Sequence, residues 1–191
     1  MNLYIGDLHF GHKSVIDFDH RPFADVEEMD RTLIRLWNGK VSTNDQVYII
    51  GDFAYRNEKP EEWYLSRLAG SKHLVVGNHD RSLLKNNAAM AYFASVDKMM
   101  RVTDGGKQIC LCHFPIIDWN GMYRETWHIY GHIHNMSGAS ASYMKKLERA
   151  LNASACINHY VPCSFGELEE NNRRWKKGEA DEYAADGTNE A

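Results

Sequence analysis

Apolar residues in this chain gather in short runs of four to six, and most runs end directly in Gly, Asp, Asn or His. Residues 2–6 read as a strand running into Asp7, and residues 46–50 as a buried strand running into Gly51-Asp52. Residues 73–76 lead into Gly77-Asn78-His79-Asp80, and residues 127–130 into Gly131-His132. Residues 99–103 and 107–112 flank Asp104-Gly105-Gly106, a hairpin signal, and the second of these strands ends at His113. Helical spacing lies between the strands. Asp25 caps a segment in which Val26, Met29, Leu33, Leu36 and Trp37 repeat on one face, with Glu28 completing a capping-box variant and Gly39 as the stop. Pro60 opens a second helix that Gly70 closes. Tyr143, Met144, Leu147 and Leu151 predict a third, and residues 155–161 a last strand. Strands alternating with helices define an α/β class. In open α/β sheets, sites form just beyond the carboxyl ends of the strands.

The 191 residues fit one domain with a sizeable core. The expected limits are a domain over 1–170 and a polar, disordered tail over 171–191, because the last residues are rich in Gly, Ala, Asp and Glu and carry no Lys or Arg beyond 177. Residues 178–191 hold five acids and no Lys or Arg, so they account for the net charge of −4. The rest is near neutral, which disfavours long nucleic acid as a partner. No apolar run approaches the ~20 residues that span a bilayer. The start of the chain lacks a signal-peptide pattern, so no membrane association and a cytoplasmic location are expected. Cys110, Cys112, Cys156 and Cys163 form no C-x-x-C pair and read as small core residues.

The 10 histidines change the picture, because most stand at the strand ends. Asp7 and His9 are two apart, as are His132 and His134, so each pair shares a face if the chain stays extended there. Two carboxylates, several imidazoles and one amide oxygen suit a borderline divalent ion: Mn, Fe, Zn, Co or Ni. Asp7, His9, Asp52, Asn78, His113, His132 and His134 exceed what one tetrahedral ion takes. They suit two ions sharing a carboxylate, an arrangement that clamps the attacking and leaving oxygens of an in-line displacement. Two such ions outweigh the two carboxylates in charge and favour an anionic ester. Two other classes fit part of the pattern. A binding scaffold with a vestigial site would tend to show gaps in the donor set. A mononuclear iron oxygenase built on Asp7, His9 and one further His would leave the remaining donors without a role.

The ordered motifs D-L-H (7–9), G-D (51–52), G-N-H-D (77–80), H (113) and G-H-I-H (131–134) resemble those of the calcineurin-like metallophosphoesterases. That resemblance implies a four-layer α/β sandwich with two central mixed β-sheets flanked by helices. It implies an enzyme, a phosphodiesterase or phosphatase, that uses two divalent metal ions, manganese among the candidates, and a metal-held hydroxide to hydrolyse a phosphate mono- or diester. Small phosphoesters or nucleotides are the implied substrates. In that reading Asp7, His9 and His134 hold one ion, Asn78, His113 and His132 the other, and Asp52 bridges them. His79 stays off the metals, touches the phosphoryl group and protonates the leaving oxygen.

One departure concerns His79. Many relatives read G-D-x-x-D-R where this chain has Tyr55 in place of the second Asp, which in relatives can pair with the motif histidine. Asp80 is the nearest substitute. Arg56, Arg81 and His12 are candidate substrate contacts, and Trp119, Asn120 and Tyr123 candidate pocket-lining residues. His20, His73, His128 and His159 belong to no motif and read as structural.

Overall fold

Alternate residues along each strand face different cores, and this period of two builds the layers. The computed structural model describes residues 1–179. Strands β1 (Asn2–Ile5), β2 (Gln46–Ile49), β3 (Ser71–Val75) and β4 (Phe93–Asp97) form one sheet in that order, parallel throughout. Strands β5 (Met99–Asp104), β6 (Lys107–Cys112), β7 (Trp127–Tyr130) and β8 (Ala150–Asn152) form the other, with β5–β6 antiparallel and the rest parallel. An antiparallel bridge from Tyr4 to Cys163 lies on the open side of β1.

Tyr4, Ile50 and Val75 meet Ile109, Leu111, Ile129 and Leu151 between the two sheets. The opposite face of the first sheet, Leu3, Ile5, Val47, Ile49 and Leu74, packs on α1 (Lys13–Phe18), α2 (Val26–Lys40), α3 (Glu61–Leu65) and α4 (Asn87–Met90) through Val15, Met29, Leu33, Trp37, Tyr64 and Ala89. The outer face of the second sheet, Cys110, Tyr130 and Ala150, meets Met144 of α5 (Ala139–Met144) and Trp175 of α6 (Phe165–Lys177). The fold is therefore a four-layer α/β sandwich.

Several local expectations change. Gly39 lies inside α2, which ends at Lys40, with the Val41 N–H bonding to Trp37. The segment expected as a helix to Leu151 stops at Met144, and residues 150–152 are strand β8. Their run of three buried residues, pairing beside β7, overrides helical spacing. The last strand expected over 155–161 is a 3₁₀ turn, Ala155–Ile157. Strand β4 was not legible, because an edge strand with polar, exposed positions lacks an apolar period. The boundary at 170/171 falls inside α6. Asn172 and Trp175 are buried there, and Trp175 Nε1 donates to Asn135 Oδ1 at 2.8 Å. Residues 171–177 are thus helix, while the tail from 180 onward lies outside the described residues.

Candidate metal centre

The strand ends converge on one rim between the sheets. Asp7 follows β1, Asp52 follows β2, Asn78 follows β3, His113 follows β6, and His132 and His134 follow β7. The chain is not extended at these points. Asp7, His9, Asp52, His132 and His134 all adopt left-handed φ, between 48° and 72°. Such a backbone costs an L-residue roughly 1–2 kcal/mol. It persists because hydrogen bonds fix the turns: Asp7 N–H donates to the Gly51 carbonyl and His9 N–H to that of Asp52, each at 3.0 Å. The glycines are required by space. A Cβ on Gly77 would lie 2.3 Å from Asp52 Oδ1, and one on Gly131 would lie 2.6 Å from Asp7 Oδ2.

Two groups of donors result. In the first, His9 Nε2 lies 3.3 Å from His134 Nε2, and His134 Nε2 lies 3.6 Å from Asp7 Oδ1. In the second, Asn78 Oδ1 lies 3.0 Å from His113 Nε2 and 2.9 Å from His132 Nδ1. Asp52 stands between them, with Oδ2 3.7 Å from His9 Nε2 and 3.5 Å from His113 Nε2. His132 and His134, two residues apart, thus point into different groups.

These residues can hold metal. Asp7, His9 and His134 lie close enough to bind one ion, as do Asp7, Asp52 and His113. Donors ~2.1 Å from one ion sit roughly 3.0–3.5 Å from each other, which is close to the 3.3–3.7 Å gaps found here and longer than most hydrogen bonds. His9 Nδ1 is also buried without a hydrogen-bond partner among the described residues. Burial, aided by the charges of Arg21 and His134, pushes the His9 imidazole well below its usual range, which keeps it in the neutral, ligating form. Burial lifts the Asp52 carboxyl, against the His113 charge and with the help of Asp7.

A surrounding shell was not read from the sequence. His134 Nδ1 lies 3.1 Å from Asp19 Oδ2, which also accepts from Arg21 Nε at 3.0 Å. Burial alone would lower His134, but the Asp19 hydrogen bond and the Asp7 charge outweigh it, and the net direction is up. Arg21 is buried and donates to the carbonyls of Asp7 at 2.7 Å and Leu8 at 2.8 Å. Ser154 Oγ donates to Asp7 Oδ2 at 2.5 Å. The one available signal was the Asp19-His20-Arg21 run itself, with no spacing rule to single it out.

Asp80 is not a partner for His79. Its fully buried carboxylate accepts from the backbone N–H groups of Asp52, Phe53 and Gly77 at 2.7–2.9 Å, tying the β2 and β3 loops together. His79 N–H donates to Asp52 Oδ1 at 2.8 Å, and its ring packs on Tyr55, with centroids 4.2 Å apart. The same Tyr55 ring lies 4.9 Å from His12 and 5.2 Å from the Arg56 guanidinium carbon. Burial, with His79 and Arg21 nearby, drives the His12 imidazole down to about 4. Arg56 and Arg81 are exposed beside His79 in one cleft. Trp119 lines no substrate pocket: it is buried, and its Nε1 donates to the Thr126 carbonyl at 2.9 Å. Tyr123 is 85% exposed. His73 bonds Ser95 and Gln46, and His128 bonds Cys110 and Ile116.

A four-layer sandwich with paired Asp and His donors on its strand ends defines a metallophosphoesterase architecture. Residues 3–139 match the family model described as calcineurin-like phosphoesterase, and the chain belongs to that family. It is 30% identical over 163 residues to an uncharacterized protein of Methanocaldococcus jannaschii, covering 84% of this chain and 85% of the relative. It is 32% identical over 160 residues to the Gene 66 protein of Mycobacterium phage L5, covering 69% of this chain and 76% of that one. A crystal structure of a protein of unknown function from Aquifex aeolicus superposes with a TM-score of 0.69 at 25% identity, covering 89% of this chain and 98% of that chain. Among the described residues, no helix is long and apolar enough to cross a membrane.

Proposed function

We propose that this protein hydrolyses a phosphate mono- or diester at a centre of two divalent metal ions. The position of Asp52 carries the reading: one buried carboxylate oxygen faces His9 Nε2 of one donor group and His113 Nε2 of the other. Asp7, His9 and His134 would hold one ion, Asn78, His113 and His132 the second, and Asp52 both. Mn, Fe, Zn, Co or Ni each suit these nitrogen and oxygen donors. Such ions, when bound, activate water near neutral pH and stabilise charge on phosphoryl oxygens.

The remaining steps fall to the chain. His79 Nε2, 4.0 Å from Asp52 Oδ2 on a partly exposed side chain, would contact the phosphoryl group and protonate the leaving oxygen. The Tyr55 ring restrains it sterically and supplies no carboxylate to raise its basicity. Esters with good leaving groups are therefore the better substrates, and a rate nearly independent of leaving-group acidity would count against this weakening of the acid. Arg56 and Arg81 line the cleft beside His79, His12 packs on Tyr55 behind it, and all three would contact substrate. Small phosphoesters and nucleotides fit the near-neutral body, and four unpaired thiols suit a reducing cytoplasm. Metal analysis combined with turnover of an aryl phosphodiester tests the reading. Two equivalents of metal with no hydrolysis of any mono- or diester would overturn it.

A further inference from the structure

A cleft of about 930 Å³ opens beside Asn78 and His79 and runs away from the metal donors across Tyr55, Arg56, Arg81 and Lys85. A single phosphoryl group at the donors leaves it empty, since clefts of roughly 300–1,000 Å³ accommodate whole small-molecule ligands. Its charge is specific. Arg56, Arg81 and Lys85 are exposed and enter no ion pair among the described residues. Of the two carboxylates on the same wall, Glu61 is buried and already accepts from Asn86 Nδ2 at 2.8 Å. Only Glu58 remains exposed to offset three cations.

The backbone that carries the cations is fixed. Lys85 ends the 3₁₀ turn Leu83–Lys85, which Arg81 precedes by two residues, with Leu84 N–H bonding to the Asp80 carbonyl and Lys85 N–H to the Ser82 carbonyl, both at 2.9 Å, and both cations line the cleft. The Asp80 carboxylate, clamped by three backbone N–H groups, fixes the start of that turn. Arg56 has a left-handed φ of 51°, and its guanidinium carbon lies 5.2 Å from the Tyr55 ring centroid. Tyr55 in turn packs on His79. Three cations against two carboxylates leave an excess of positive charge, and an anion placed among the cations offsets it.

Resting on the phosphoesterase reading, we propose that this cleft is a subsite for a second phosphate group. The preferred substrate is then a phosphoester whose organic part carries a further phosphate, of the kind a short 5′-phosphorylated nucleotide provides. The scissile group sits at the metal donors, the second phosphate is gripped by Arg81 and Lys85 with Arg56 at the entrance, and Tyr55 spaces the two.

Two dinucleotides, TpT and its 5′-phosphorylated form pTpT, test this with the metal-loaded full chain. The expected kcat/KM for pTpT exceeds that for TpT by about tenfold or more, the scale of one or two charge-assisted hydrogen bonds. The double variant Arg81→Ala, Lys85→Ala brings the ratio close to one, and the wild-type ratio falls with added salt. Because the ratio is taken within each protein, any loss of overall activity in the variant cancels. A wild-type ratio near one, or a ratio unchanged in the variant, overturns the subsite. If no ester is turned over at all, the phosphoesterase reading has failed separately, and calorimetric Kd values for the same pair decide the subsite. A tenfold preference for pTpT that the double variant loses sustains it, and equal affinities overturn it.

Discussion

The two donor groups of the candidate metal centre are built differently. Asp7, His9 and His134 are at most 4% exposed, and each outer contact of Asp7 and His134 is itself anchored. Ser154 holds Asp7, while Asp19 holds His134 and is held by Arg21, which reaches back to the carbonyls of Asp7 and Leu8. The second half borders the cleft. Asn78 is exposed and His132 partly so; their side chains meet each other, His113 and Phe114, while the His132 N–H donates to the Asp7 carboxylate. His113 alone is pinned from behind, through Nδ1 to the Ile50 carbonyl at 2.8 Å. A ligand set fixed by an outer shell needs little reorganisation to bind metal, whereas a looser set can yield to an incoming substrate. The two halves should therefore differ in affinity, the buried one being the tighter.

The harshest test removes what they share. Asp52→Asn should lower turnover of an aryl phosphodiester by at least ~10³-fold, since several kcal/mol of transition-state stabilisation pass through the centre. Metal analysis should show fewer than two equivalents, and near-wild-type activity would refute a shared ligand. Asp80→Ala strands three buried N–H groups that position the Asp52 and Asn78 loops. It should cost about 3 kcal/mol or more in denaturant unfolding and disturb the second half, leaving the Asp7–Ser154 contact in place.

Asp19→Asn separates the halves directly. It should weaken binding of one metal equivalent by about 10- to 100-fold in calorimetric titration and spare the other. Equal weakening of both would dissolve the distinction drawn above. A separate effect, on stability and not on metal, concerns His128, which anchors the loop after His113. Its Nδ1–H donates to the Cys110 carbonyl and its Nε2 accepts from Ile116 N–H, an arrangement only the neutral ring can make. Burial drives its pKa down to about 4 from the usual 6.5. Between those values the unfolded state binds the extra proton, so stability rises with pH in that window and is lost as pH falls through it. His128→Gln should reduce the pH dependence of unfolding between pH 4 and 6.5 by about one proton, roughly 1.4 kcal/mol per pH unit. An unchanged slope would show that the ring is already charged or exposed.

Much of the fold was legible because its strands are short, apolar and punctuated. β1, β2, β3, the β5–β6 hairpin and β7 each contrast sharply with the polar residues that end them. Helix α2 was legible from its cap, and Glu28 N–H does donate to Asp25 Oδ1 at 2.8 Å. β4 and β8 were not, since one is a polar edge and the other a three-residue strand whose identity comes from pairing with β7. The donors were legible as types: Asp, Asn and His after strands are chemically conspicuous. Asp19, Arg21 and Ser154 were not, because single polar residues in loops are common and theirs matter only through partners up to 147 residues away.

The sequence by itself determined the order of the elements, the faces they bury and the donors available at the strand ends, because those depend on local polarity and its period. The tertiary structure alone decided that His132 and His134 part company. It also holds five donor residues in a left-handed backbone, which their own conformational preferences oppose. Long-range hydrogen bonds and glycine-lined contacts outweigh that local cost. It likewise gave the position three after Asp52 its use: the Tyr55 ring packs between His79 and Arg56.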